Sequence, residues 1–174
     1  LVEDTRKALA DIALINRLNS PATVAALTGS QGKTTVKEMA GAILSQAGPT
    51  LITEKNLNNT IGVPLTLLRL KDERFAVIEM GANGHGEIEF SARAASPNIV
   101  LITKASAAHI EGFGSLQGIV EAKGEIIDQV QPNGVVILNA DDENIWQWKA
   151  RAAGKRTVLF GLEQDSKADY FATE

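Results

Sequence analysis

The chain runs to 174 residues with 44% hydrophobic and 22% charged side chains. That suits one globular domain, able to bury roughly 70% of the surface an extended chain exposes. A net charge of −4 without a basic stripe argues against nucleic acid as the main partner. The absence of cysteine excludes disulfides and thiolate metal sites. With neither a membrane-length apolar run nor a signal-peptide pattern, a cytoplasmic location and no membrane span are expected.

Asp4 or Thr5 caps a first helix that runs to about Leu18, with Ala8, Ile12, Ile15 and Leu18 on one face. Asn19-Ser20-Pro21 ends it, because the residue before a proline avoids helical backbone. Whether this helix is an interdomain linker or part of the core is open at this stage. An apolar, β-prone run from Val24 then leads into Thr28-Gly29-Ser30-Gln31-Gly32-Lys33-Thr34-Thr35. A helical pattern follows at once, with Val36, Met39, Ala40, Ile43, Leu44 and Ala47 on one side. Strand, glycine turn and helix in that order form the context of a phosphate-binding loop. The helix N-terminus offers unpaired N–H groups and partial positive charge, and glycines let the backbone close around an anion. Lys33 reaches the outer phosphates, and Thr34 or Thr35 offers a hydroxyl to Mg²⁺. The spacing is shorter than the commonest one, since Leu27 stands where its first glycine would be. A plain strand-to-helix turn with a chance lysine is the alternative; the ordered succession favours nucleotide.

Beyond Gly48-Pro49, Thr50 to Thr53 is a short strand, followed by a polar run holding Asn56, Asn58 and Asn59. Such asparagines shape a turn or bind ligand. Residues 61–70 are predicted helical, with Pro64 near the start where proline is tolerated. The spacing then predicts a strand over 75–78, a helix over 84–96 and a strand over 99–102. A long helix over 115–130, a strand over 134–138, a helix over 143–153 and a strand over 156–160 follow. Asp169 to Glu174 reads as the start of another strand, and the helical pattern at the other end is equally abrupt, so a fragment is expected. The alternation predicts an α/β fold, a mainly parallel sheet with helices on both faces, with ligands beyond the carboxyl ends of the strands.

Four polar clusters fall on that edge: the phosphate loop, Glu79, the loop bearing His109, and Asn139 to Asp142. Glu79 stands where an apolar strand runs out, suited to holding Mg²⁺ directly or through water, or merely to an exposed strand end. Lys123 falls within a helical stripe of Leu116, Ile119, Val120, Ile127 and Val130. A lysine there snorkels, pairs, or changes its chemical state. His109 precedes a stretch with two glycines, Gly112 and Gly114, which favours function over packing; His85, between Gly84 and Gly86, reads as a turn residue. Trp146 and Trp148 are two apart and cannot share a helix face. No zinc, Ser-His-Asp or guanine-selecting arrangement stands out.

Gly29 to Thr35, with its short glycine spacing, resembles the ATP loop of the Mur ligases. Four further stretches carry the resemblance: residues 56–64, 77–83, 108–115 and 121–126. They are most similar to the branch of the family that joins D-Ala-D-Ala to UDP-N-acetylmuramoyl-tripeptide. The resemblance implies a P-loop NTPase-like central ATPase domain over residues 21–174. Residues 1–20 would be the linker helix from an N-terminal domain, with a C-terminal domain following.

It further implies ATP phosphates held by Gly29, Ser30, Gln31, Gly32, Lys33, Thr34 and Thr35, with Lys33 at the γ-phosphate and Thr34 on Mg²⁺. Glu79 and His109 would serve metal sites, and Lys123 would be carbamylated, becoming an anion that helps place Mg²⁺. Lys33, His109 and Lys123 would be the catalytic set, Asn58 and Asn59 would face substrate or phosphate, and Asn139 and Asp141 would lie near the adenosine. The implied activity is ATP-dependent amide ligation in peptidoglycan precursor synthesis, through an acyl phosphate, by a monomer. Another Mur ligase, a folylpolyglutamate synthetase-like enzyme, or a nucleotide-binding fragment without turnover are the alternatives. The sequence departs from the family pattern at Lys55, where glycine is usual, at Gly84-His85-Gly86, and at Lys104.

Overall fold

A computed structural model describes residues 1–107, 110–162 and 168–172. The first helix, α1 (Thr5–Asn19), is capped by Asp4, whose carboxylate accepts from the Arg6 and Lys7 N–H groups. β1 (Thr23–Thr28), α2 (Lys33–Ser45), β2 (Thr50–Ile52), α3 (Gly62–Leu67) and β3 (Phe75–Glu79) follow. The chain continues through α4 (Glu87–Ala95), β4 (Ile99–Ile102), α5 (Ile110–Phe113), α6 (Leu116–Asp128) and β5 (Val135–Asn139). The last described elements are α7 (Ile145–Arg151), β6 (Arg156–Gly161) and β7 (Tyr170–Phe171).

The seven strands form one parallel sheet in the order β2-β3-β1-β4-β5-β6-β7. Chain direction along the sheet reverses around β1: the α2 crossover runs one way, to β2, and every later crossover runs the other. Right-handed crossovers therefore put α2 on one face and the helices after β2 on the opposite face. The packing agrees, with α4 against α3 and α6, α6 against α7, and α2 against β1, β2 and β3. The expected parallel sheet with helices on both faces is borne out, but the cover is unequal. Along β4 and β5, Val100, Ile102, Val136 and Leu138 are buried under the helix-rich face, while Ile99, Leu101, Val135 and Ile137 are half-buried.

Two helices turn the wrong side inward relative to their apolar pattern. On α1 the stripe of Ile12, Ile15 and Leu18 is exposed, and the packed side is Ala10, Ala13 and Arg17. Small residues let α1 approach α3 and α4, and polar groups fix it there. Asn16 Nδ2 donates to Leu67 O and Leu70 O, and Arg17 donates to Ala95 O, Ser96 O and Asn98 Oδ1 at the end of α4. On α2, Met39 and Ile43 are exposed, and Lys37 and Gly41 face the sheet. The phosphate loop fixes how α2 leaves the sheet edge, so its rotation is set by that turn rather than by its most apolar arc. On α7, Trp148 is buried, donating from Nε1 to Val120 O (3.0 Å), while Trp146 is exposed.

Candidate functional site

β1 ends at Thr28, and the chain turns through Gly29 (φ 150°) and Gly32 (φ 78°) before α2 begins at Lys33. Among the described residues no side chain caps that helix N-terminus, so its first-turn N–H groups are open to an anion. Gly29 has no substitute: besides its φ, a Cβ there would overlap Thr103 Oγ1 and crowd the Lys104 backbone. The segment after β4 braces the loop from that side. Ser30 N donates to Lys104 O (2.7 Å), Thr103 Oγ1 to Gln31 O (2.6 Å), and Ser30 and Ser106 exchange two bonds of 3.1 Å. Lys33 Nζ donates to Gly29 O at 2.8 Å, so the ammonium lies over the loop it must serve. Burial holds its pKa below the ordinary lysine value, with the Glu79 charge pulling the other way.

Glu79 closes β3 and is 2% exposed. It is therefore no exposed strand end. Its Oε2 accepts from Thr34 Oγ1 (3.1 Å), its Oε1 from Asn58 Nδ2 (2.8 Å), and its own N–H donates to Thr53 Oγ1 (3.0 Å). Strand pairing brings it there, since β3 runs beside β1 with Leu27 opposite Glu79. Lys37, one turn after Lys33, lies beneath, 1% exposed, donating to Thr53 O at 2.9 Å with Glu79 Oε2 at 3.9 Å. Sequence reasoning passed over Lys37. Its signal was the spacing Lys33, Lys37, Gly41, which puts two lysines and a glycine on one side of α2. That glycine lies against Ile52 of β2, where a side chain would not fit.

A cleft of about 200 Å³ opens beyond the ends of β1 and β3, between Lys33, Asn58, Asn59, Glu87, Phe113 and Lys123. Ser115 caps α6 by accepting from Gly118 N, and α6 carries Lys123 into the cleft. Lys123 is 4% exposed and has no ion-pair partner among the described residues. Its ammonium lies 5.4 Å from the centroid of the Phe113 ring. Burial, and then the Lys33 charge, lower its pKa to about 8, against the pull of Glu125 and Glu87. Glu125, on the same helix, accepts from Gly86 N and Glu89 N, pinning the start of α4 beside the cleft. Asn59 lines the cleft, and its Oδ1 also accepts from Ile61 N and Gly62 N at the start of α3.

Asn139 and Asp141 lie further along the same edge. Asn139 donates to Thr103 O and accepts from Asp141 N, so it joins β5 to the brace behind the phosphate loop. Asp141 Oδ2 accepts from Leu162 N, and its Oδ1 is buried without a hydrogen-bond partner among the described residues. Asp142, 3% exposed, accepts from Ala105 N. Gln31, Thr34 and Thr35 are exposed at the loop. His109 lies outside the described residues. His85 stands edge-on to Phe113 at 5.8 Å between ring centroids, beside the turn into α4.

Thr34 and Glu79 supply a hydroxyl and a carboxylate side by side, and Lys33 a cation, around a glycine loop at a helix N-terminus. Among the described residues no three His, Asp or Glu side chains cluster as a protein-only metal cage. Both facts fit Mg²⁺ held mainly by phosphates with one or two protein ligands. Asp141 Oδ1, an acceptor awaiting a donor, fits a hydroxyl-bearing sugar. Among the described residues no helix is long and apolar enough to cross a membrane.

Comparison with known proteins gives a consistent picture. The family model for the Mur ligase middle domain matches residues 27–174. The chain is 49% identical over 174 residues to UDP-N-acetylmuramoyl-tripeptide–D-alanyl-D-alanine ligase of Escherichia coli strain K12, covering 99% of this chain and 38% of that protein. A crystal structure of MurF from Acinetobacter baumannii superposes with a TM-score of 0.94 at 43% identity, covering 100% of this chain and 38% of that one. MurF ligase from Thermotoga maritima, solved in complex with ADP, superposes with a TM-score of 0.83 at 34% identity, covering 92% of this chain and 38% of that one. The chain thus spans well under half the length of each.

Proposed function

Since the chain belongs to the Mur ligase family and matches its middle domain, we propose that it is the ATP-binding domain of a ligase that adds D-Ala-D-Ala to UDP-N-acetylmuramoyl-tripeptide. The observation that carries this is the convergence of Lys33, Thr34, Glu79 and Lys123 on one edge of the sheet, at the ends of β1 and β3. Residues 21–174 would make up that domain and residues 1–20 the helix leading into it. The protein would work in the cytoplasm, as a monomer.

In this reading Gly29 to Thr35 cradle the ATP phosphates, and Asn139 and Asp141 lie toward the adenosine. The terminal carboxylate of the tripeptide attacks the γ-phosphorus, the bond to ADP breaks, and an acyl phosphate forms. The amine of D-Ala-D-Ala then attacks the acyl carbon, and the tetrahedral intermediate expels inorganic phosphate as the amine loses a proton. Lys33 neutralises charge gathering on the transferred phosphoryl group, and Asn58 and Asn59 orient the acceptor side. Thr34 and Glu79, with His109 and a carbamylated Lys123, would hold Mg²⁺, which supplies charge neutralisation when bound. Carbamylation would account for Lys123: a buried ammonium without an ion-pair partner among the described residues would become a carboxylate-like ligand.

The direct test is Lys33→Ala in the intact ligase. Phosphate release stimulated by tripeptide and D-Ala-D-Ala is expected to fall by about a hundred- to a thousandfold, in line with loss of a preorganised charge-stabilising group. Full activity in that variant would sink the assignment.

A further inference from the structure

Lys37 is a buried charge that the phosphate-loop pattern does not require. The lysine of that pattern is Lys33, one helical turn earlier, and Lys37 lies behind it on the sheet-facing side of α2 at 1% exposure. Its ammonium donates to Thr53 O (2.9 Å), pairs with Glu38 Oε1 (3.0 Å) and stands 3.9 Å from Glu79 Oε2. Glu38 is largely solvated, whereas Glu79 is as buried as Lys37 itself. Without Glu79, Lys37 would keep Glu38; without Lys37, the buried Glu79 carboxylate would keep only hydrogen bonds from the neutral Thr34 and Asn58, so the dependence runs from Glu79 to Lys37.

The arrangement also fixes direction. Thr53, just beyond β2, takes the Lys37 ammonium on its carbonyl and the Glu79 N–H on its hydroxyl. Asn58 holds Oε1 of Glu79, and Thr34 holds Oε2 from the phosphate-loop side. Lys37 is the cation beneath this carboxylate, opposite the edge at which nucleotide would arrive. We propose that Lys37 is a positioning residue for Glu79, anchoring its carboxylate through charge and through Thr53 so that Oε2 stays beside the Thr34 hydroxyl, where a nucleotide-bound divalent cation would be met. The inference rests on the reading of Glu79 as a group that serves the metal.

A double-mutant cycle of Lys37→Met and Glu79→Gln in the intact ligase tests it. Calorimetry would follow ADP binding as a function of Mg²⁺, and thermal unfolding would be recorded in EDTA without nucleotide. Lys37→Met is expected to raise the half-saturating Mg²⁺ concentration about tenfold or more, the range for losing a group that orients a metal ligand. Its metal-free ADP affinity should move by less than about twofold, since among the described residues the Lys37 side chain bonds or pairs with Thr53, Glu38 and Glu79 and not with the phosphate loop. In the Glu79→Gln background the same substitution should add nothing, and its loss of Tm should be largely restored, because both charges are then gone. If Lys37→Met alone does not fold, the pair should fold and match Glu79→Gln in its Mg²⁺ dependence. A folded Lys37→Met with unaltered Mg²⁺ dependence, or a pair worse than Glu79→Gln, would overturn the inference. If Glu79→Gln itself leaves Mg²⁺ dependence unchanged, the metal-serving reading of Glu79 fails first and separately.

Discussion

Burial strips water from the Lys123 ammonium and the Lys33 charge stands near it, so its pKa lies at about 8 rather than the ordinary 10.5. Between these values the unfolded chain binds more protons than the folded one, so this group's contribution to stability improves as pH rises from 8 toward 10.5. Below pH 8 its penalty is fully present. Lys123→Met is therefore expected to raise Tm at pH 7 in CO₂-free buffer, with the gain fading as pH rises from 8 and lost above 10.5, where the free amine is neutral in both states. Thermal scans across that range check it, and an equal gain at both ends would place the cost elsewhere. CO₂ adds only to the neutral amine, so a carbamate signal from ¹³C-bicarbonate should grow as pH passes 8. Lys55 is a second residue in an unfavourable setting, with φ at 50°, a region disfavoured for side chains with a Cβ. That explains the glycine usual at this position in the family pattern. Lys55→Gly is expected to stabilise by about 0.5–1 kcal/mol, less whatever glycine adds to unfolded-chain entropy, measured by denaturant unfolding.

At the scale of the element, the strands were the legible part. β3, β4, β5 and β6 stand within one residue of their predicted limits, because each carries a near-continuous apolar run, buried on both faces in β3 and fully on only one in β4 and β5. Helix positions were legible too, except for the single turn α5, which lies in a stretch read as loop, but not which side faced inward on α1 and α2. Periodicity reports where apolar residues lie, and cannot see that Arg17 finds three oxygen acceptors at the end of α4 or that Lys37 finds Thr53 and Glu79. The Lys123 stripe on α6 succeeded because Ile119, Val120 and Ile127 do face the core there. In the site, the phosphate loop and Glu79 were readable from spacing, whereas Thr53, Thr103, Ser106 and Glu125 act through contacts distant in sequence. Two elements offer direct tests. Arg17→Met removes the side-chain donor to Ala95 O and one of two donors to Ser96 O and Asn98 Oδ1, which keep Gln131 Nε2 and Val24 N; it should cost roughly 1–3 kcal/mol, with α1 amides exchanging first. Ser115→Ala removes the α6 cap and should cost about 1 kcal/mol of stability by urea unfolding.

For the whole molecule, the sheet order matters more than any single contact. Reversal around β1 sends the chain after β1 and the chain after β3 to opposite faces of the sheet, and the cleft forms in the crevice between them. The residues proposed to meet nucleotide lie on this chain, whereas the relatives it matches are more than twice as long. The chain by itself is therefore expected to bind ADP in calorimetry yet release no phosphate when tripeptide and D-Ala-D-Ala are added. Turnover by the chain alone would show that the remaining length is dispensable.

The close fit of Gly29 against Thr103 also bears on how such a sequence drifts through generations. Shortening Thr103 would open room for a methyl group at position 29, but φ at that position would still exclude it. Neutral change can pass through Thr103 and cannot pass through Gly29. Inherited variation in nucleotide affinity should then accumulate on the β4 side of the loop, at residues that brace it from behind.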